Sequence, residues 1–158
     1  MKILVVADTH KNYINLKKAF DSVPDADLVV HLGDGESEFA KLQSANPTRN
    51  MVYVGGNCDE DFHRQWQAVE AHGLKIFCCH GHNHDVHKGL KDLVDAAKLY
   101  GCSAALYGHT HVSYSGITDG VYVMNPGSLD SPRDGSAPSF GILTADPLGN
   151  VEMEIKEL

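Results

Sequence analysis

The sequence of 158 residues predicts an α/β fold of two packed sheets with helices outside them. Three observations carry that expectation. Apolar runs of strand length alternate with amphipathic stretches as far as Tyr100, the pattern of parallel strands joined by crossover helices. After the run Ala104 to Tyr107 the helical pattern ceases and paired β segments follow. The apolar runs of the alternating part end in polar turns bearing Asp, Asn or His, and in such sheets ligand sites gather beyond the carboxyl ends of the strands. A chain of this length buries about 70% of its unfolded surface, so a single domain over residues 1–158 needs no covalent staple.

Taken in order, Lys2 to Ala7 is a strand, and Leu16, Ala19, Phe20 and Val23 then recur at helical spacing until Pro24 stops them. Leu28 to Leu32 is a second buried strand, ending at Gly33-Asp34-Gly35. A weaker helical stretch, Ser37 to Leu42, leads through Asn46-Pro47 to a third strand, Met51 to Val54, which stops at Gly55-Gly56-Asn57. Trp66 to Ala71 and Leu74 to Cys79 flank His72-Gly73 as a hairpin, and the second strand ends at His80-Gly81-His82. Leu90, Leu93, Val94 and Ala97 trace one face of a helix from Gly89 to Tyr100. Tyr114 to Thr118 pairs with Val121 to Asn125 across Asp119-Gly120, and Phe140 to Ala145 pairs with Val151 to Ile155 across Pro147/Gly149.

Composition narrows the class of function. A net charge of −8 disfavours strong nucleic-acid or anionic-membrane binding, although bound cations would reverse the local field at a site. The opening apolar run is only a strand long, so neither a signal peptide nor a membrane span is expected. Cys58, Cys78, Cys79 and Cys102 lack C-x-x-C or disulfide-framework spacing, which reads as reduced, largely buried thiols in a cytoplasmic protein. Ten histidines are an excess that no terminal tag explains.

The turns collect Asp8, His10, Asp34, Asn57, His80, His109 and His111. Side chains two apart on a strand share a face, which is how Asp8 and His10, and likewise His109 and His111, are expected to converge. Two carboxylates, four imidazoles and one amide form a mixed N/O set suited to Mn²⁺, Fe²⁺, Ni²⁺ or Zn²⁺. Seven donors exceed one catalytic ion and suit two divalent ions sharing a carboxylate. His31, inside an apolar strand, reads as a satisfied core histidine.

Asp8-Thr9-His10, Gly33-Asp34, Gly55-Gly56-Asn57-Cys58-Asp59, His80-Gly81-His82 and Gly108-His109-Thr110-His111 resemble the five ordered blocks of the calcineurin-like metallophosphoesterases. Asn125-Pro126-Gly127-Ser128 with Pro132-Arg133 resembles the tail of that family's small, cap-less phosphodiesterase branch. The resemblance implies a four-layer α/β-β/α sandwich of two mixed sheets and a binuclear centre. One ion would take Asp8, His10, Asp34 and His111; the other Asp34, Asn57, His80 and His109, with Asp34 bridging. It further implies hydrolysis of a phosphate ester by a metal-bridging hydroxide.

Many members carry a histidine after the block's asparagine that protonates the leaving oxygen, and here Cys58 stands in that place. His82 is the candidate replacement, against the alternative of an exposed loop histidine; His84 and His87 are expected on the solvated loop. Asp59 is expected to be structural, and Arg133 either contacts phosphate or forms a structural salt bridge. The expected activity is Mn²⁺- or Ni²⁺-stimulated phosphodiester hydrolysis, and a homo-oligomer is compatible with the sequence. The alternatives are a phosphomonoesterase, a non-catalytic protein-binding scaffold like the similarly folded retromer subunit, which lacks a complete ligand set, or a metal-storage role.

Overall fold

Alternate residues of the first strand face opposite ways, and both ways are apolar. In the computed structural model, which describes residues 1–60 and 63–158, β1 (Lys2–Val6) sends Ile3 and Val5 into one buried cluster and Leu4 and Val6 into another. The first cluster lies between two sheets, since Val30 and Leu143 meet Ile76, Cys78, Leu106 and Met124 there. The second joins β1 to Leu16, Ala19 and Phe20 of α1 (Tyr13–Ser22) and Leu42 of α2 (Glu36–Ala45). A third packs Leu93, Val94 and Ala97 of α3 (Lys91–Leu99) against Phe77, Ala105 and Val123. The four layers are therefore α1 and α2, sheet, sheet, and α3.

Each sheet has five strands. In the first, β1 pairs in parallel with β2 (Leu28–His31), and β2 with β3 (Met51–Tyr53). The antiparallel hairpin of β9 (Ser139–Ala145) and β10 (Val151–Glu157) adds to the free side of β1. In the second, β4 (Trp66–Ala71) and β5 (Leu74–Cys79) form a hairpin, and β5 runs parallel to β6 (Ala104–Leu106). β6 also runs parallel to β8 (Val121–Asn125), with β7 (Tyr114–Thr118) antiparallel at the edge. That last parallel pair is joined by a loop and an edge strand, where the sequence pattern suggests parallel pairing only across helices.

The hairpin turns follow their residues. His72-Gly73 has φ of 50° and 84°, and Asp119-Gly120 has 48° and 79°, the left-handed pairs that match strand twist. Strands β1, β2, β3 and β6 each stop one residue before the apolar run does. Ala7, Leu32, Val54 and Tyr107 stay buried while the backbone already bends into the functional turns. α3 starts at Lys91, two residues after the expected Gly89, whose φ of 145° lies outside the helical region.

His31 is the satisfied core histidine its surroundings suggested. The Gly33 amide donates to its Nδ1 at 3.2 Å, which leaves the neutral ring's proton on Nε2 to meet Thr9 Oγ1 at 3.2 Å. The Thr9 hydroxyl in turn donates to Glu38 Oε1 at 3.0 Å. Burial, only partly opposed by the charges of Asp8, Asp59 and Glu38, pushes the ring's pKa down to about 4.

An unfolded histidine protonates near 6.5. Between that pH and about 4 only the unfolded chain takes up the proton, so stability is fully present above this window and falls as pH drops through it. The contribution is about 3 kcal/mol across the window. It is measured as the difference in the pH dependence of urea-unfolding free energy between the wild-type chain and His31→Gln, and parallel profiles would refute it.

Candidate metal centre

The polar turns after β1, β2, β3, β5 and β6 meet at one end of the sandwich. Asp8 and His10 do not sit on a strand: β1 has ended, and their φ values are 52° and 38°. Asp34, His109 and His111 are also left-handed, at 57°, 69° and 59°. Strand alternation therefore is not what brings these side chains together. Tight turns in a conformation that costs L-residues energy do so, and the surrounding bonds must hold them there. The Asp8 amide donates to Gly33 O and the His10 amide to Asp34 O, both at 3.0 Å, stitching the first turn to the second.

Two further contacts join the sheets at this end. The His109 amide donates to Asp8 Oδ2 at 3.0 Å, and His80 Nδ1 lies 2.6 Å from the Leu32 carbonyl oxygen. A carbonyl only accepts, so His80 carries its proton on Nδ1 and turns the lone pair of Nε2 toward Asn57 Oδ1 at 3.1 Å, Asp34 Oδ2 at 3.5 Å and Asp8 Oδ1 at 3.9 Å. His111 is set the same way. Its Nδ1 donates to Ser131 O at 2.8 Å, and its Nε2 meets His10 Nε2 at 3.1 Å and Asp8 Oδ1 at 3.3 Å. His10 Nε2 lies 3.8 Å from Asp34 Oδ2.

These atoms are acceptors facing acceptors, a repulsive arrangement unless a cation or a proton lies among them. Asp8 Oδ1 is buried without a hydrogen-bond partner among the described residues. The donor atoms of Asp8, His10 and His111 lie within 4.8 Å of one another, as do those of Asp8, Asp34 and His80. The donor set fits divalent ions. The ring of His109 stands just outside these sets, with its centroid 5.0 Å from that of His80.

Electrostatics points the same way. Burial alone would raise the Asp34 carboxyl, but the adjoining His80 ring, with the Cys58 amide, holds it well below the carboxylate range. Burial opposes protonation of His80, and the carboxylates Asp34 and Asp8 overcome it and raise its pKa. His111 is raised first by the Asp8 carboxylate that faces its Nε2. His109 is lowered to about 4 by burial and by His80 and His87, which keeps it neutral. The carboxylate field that raises His80 and His111 is of the sign that favours other cations as well.

Several supporting residues are not themselves candidate ligands. Asp59 accepts from the amides of Asp34, Gly35, Glu36 and Gly56 and from the Tyr53 hydroxyl, so it fastens the start of α2 to the turn after β3. That is the structural role expected of it. Gly56 is required there, since a Cβ would lie 2.0 Å from Asp34 Oδ1. Asn125 donates to Gly108 O and Thr110 Oγ1 and accepts from the Gly127 amide. Ser128 Oγ donates to Asp8 O at 2.8 Å. Only the family-like tail motif marked these two, and no spacing argument reveals what they hold.

The remaining candidates are placed as follows. β5 ends at Cys79 and Gly81 has φ of 111°, so the strand does not continue to His82. His82 nevertheless lies near the site, its ring 5.4 Å from that of His80 and 6.1 Å from that of His109. His84 is not on a solvated loop: it is half-buried edge-on to Phe77. His87 is exposed as expected, with its ring 4.7 Å from His109. Arg133 forms no ion pair among the described residues; its amide donates to His111 O. Cys58 is exposed, whereas Cys78, Cys79 and Cys102 are buried free thiols.

A family model described as the calcineurin-like phosphoesterase superfamily domain matches residues 1–147. A probable metallophosphoesterase of Mycoplasma pneumoniae is 36% identical over 136 residues, covering 84% of this chain and 82% of that protein. A phosphodiesterase of Methanocaldococcus jannaschii is 30% identical over 163 residues, 92% of this chain and 94% of its own length. A solved archaeal phosphodiesterase superposes with a TM-score of 0.77 at 28% identity, over 99% of this chain and 100% of that one. Motifs, layers and relatives agree, and the chain belongs to the calcineurin-like phosphoesterase superfamily.

Proposed function

We propose that this chain is a phosphodiesterase that works with two divalent ions. The observation that carries this reading is the convergence of the Nε2 atoms of His10, His80 and His111 on the buried, unpartnered Asp8 Oδ1. Asp8, His10, Asp34 and His111 would hold one ion, and Asp34, Asn57, His80 and His109 the other. Asp34 suits the shared position because its Oδ2 is nearly midway between the two sets, 3.8 Å from His10 Nε2 and 3.5 Å from His80 Nε2. Asp8 Oδ1 is closer to His111, at 3.3 Å, than to His80, at 3.9 Å. When bound, such ions acidify a water and neutralise charge on phosphoryl oxygens.

The chain's own residues orient and discriminate. A cavity of about 620 Å³ opens beside His10, Asp34 and Cys58 and runs along Lys11, Glu36 and Glu60. This space accommodates the second ester group that distinguishes a diester from a monoester. Arg133, with no carboxylate partner among the described residues, is free to meet a phosphate oxygen beside His111. A scaffold has no use for so complete a set of unshared donors, and a storage or structural ion is usually closed by thiolates.

Proton delivery to the leaving oxygen falls to His82. The Cys58 thiol is pushed up to about 11 by burial and by Asp34, too weak an acid to match an imidazole near neutral pH. Burial, together with His80, lowers His82; an anionic phosphate nearby reverses that influence.

A metal-reconstituted screen with Mn²⁺, Ni²⁺, Fe²⁺ or Zn²⁺ is expected to show faster turnover of aryl phosphodiesters than of monoesters; equal or greater monoesterase activity reverses the assignment. Bound metal measured by mass spectrometry should fall by one equivalent in Asp8→Ala and by both in Asp34→Asn, and two equivalents retained in Asp8→Ala would show its assignment to be mistaken. Because His80 and His111 are raised above the ordinary imidazole range, metal affinity should decline as pH drops through that raised range, followed by titration at fixed ion concentration. His82→Ala should lower kcat for alkyl diesters by about 10²-fold or more, with aryl diesters nearly unaffected; equal kcat values for wild type and variant on both substrates would remove His82 from the mechanism.

A further inference from the structure

We propose that Cys58 is itself a metal ligand: with thiophilic ions such as Zn²⁺ or Cd²⁺, its sulfur joins His10 and Asp34 on one ion and closes the position that faces the cavity. This rests on the metal-centre reading above. The donor atoms of His10, Asp34 and Cys58 lie within 4.8 Å of one another, a third set distinct from the two built on Asp8. The sulfur would be a fifth ligand beside Asp8, His10, Asp34 and His111, and with zinc–sulfur at ~2.3 Å and zinc–nitrogen at ~2.0 Å neighbouring ligand atoms stand about 3.0–3.5 Å apart. Closing the set takes about an ångström of side-chain movement. Cys58 has that freedom, because its side chain is exposed while its amide is anchored to Asp34 Oδ1 at 2.8 Å.

Two contacts mark the direction. Asn57 Nδ2 donates to Cys58 Sγ at 3.4 Å, so the sulfur already lies against another proposed ligand of the centre. Asp8 Oδ1, buried and unpartnered, is 3.9 Å from His10 Nε2 and marks a place for a cation at that ring. On binding, the thiol releases its proton to solvent and a sulfur–metal bond forms. Hard ions such as Mn²⁺ prefer the carboxylate and amide oxygens and leave the sulfur aside. The ions are thereby sorted: a soft ion is capped by sulfur where a phosphate oxygen would bind, and a hard ion keeps that position open to substrate.

The test loads the purified chain with Cd²⁺ and records the ultraviolet thiolate-to-metal charge-transfer absorption of the wild type, Cys58→Ala and Cys58→Ser. Competition dialysis measures Zn²⁺ and Mn²⁺ affinity in parallel, and circular dichroism checks that the variants fold. The band is expected in the wild type and absent from both variants. Zn²⁺ affinity should fall in Cys58→Ala by at least the ~10-fold that even an outer partner of a metal site is worth, with Mn²⁺ affinity unchanged. Stoichiometric Cd²⁺ binding without the band, the same band in the variants, or equal Zn²⁺ affinity in Cys58→Ala overturns this inference alone. Failure of every ion to bind overturns the metal-centre reading and this one with it.

Discussion

Asp8 Oδ1 lies fully buried among the Nε2 atoms of His10, His80 and His111 with no donor directed at it, and much of the loop architecture serves to keep it there. Electron-rich atoms left to themselves would turn away toward water. Here Ser131 and Leu32 carbonyls take the outward nitrogens of two rings, the His109 amide takes the other Asp8 oxygen, and the Cys58 amide takes the other Asp34 oxygen. Each of these partners fixes one lone pair by occupying the alternative. The repulsion among the inward atoms is what a cation or a proton placed there would relieve.

The layers were legible because both faces of β1, β2, β5 and β6 are apolar and the helical stripes recur between them. The proposed ligands were legible as candidates because Asp and His sit where apolar runs stop. What the residue pattern misplaced was the reason for their convergence. A period of two assumes a continuing strand, yet the backbone turns left-handed at Asp8, His10, His109 and His111. No local propensity announces that at Asp or His as it does at glycine; distant bonds impose it. The same holds for Asn125 and Ser128, whose work is done on turns 15 to 120 residues away. His84 was misread because its anchor, Phe77, belongs to a neighbouring strand.

Left-handed backbone also concentrates at the centre. Five of the nine non-glycine residues with positive φ among the described residues are proposed ligands. Such conformations persist only where the surroundings over-determine them, which is why the Asp59 carboxylate and the close approach of Gly56 matter to a site they do not enter. The buried chain from Gly33 through His31 and Thr9 to Glu38 adds rigidity beneath the same turn. It also brings α2 into register with the centre, because Glu38 accepts from the Lys11 amide beside His10.

The bond from Ser128 to the Asp8 carbonyl has a temporal consequence. It spans 120 positions, and the contact from His109 to Asp8 spans 101. Loops of that length close late, after the local hairpins and helices have formed. In a chain emerging from the ribosome, the bonds from the Asp8 and His10 amides to Gly33 and Asp34 can form early, whereas those from His109 and Ser128 must wait for far more of the chain. In the proposed centre, Asp8 therefore takes its final place only once β8 and the turn beyond it have docked.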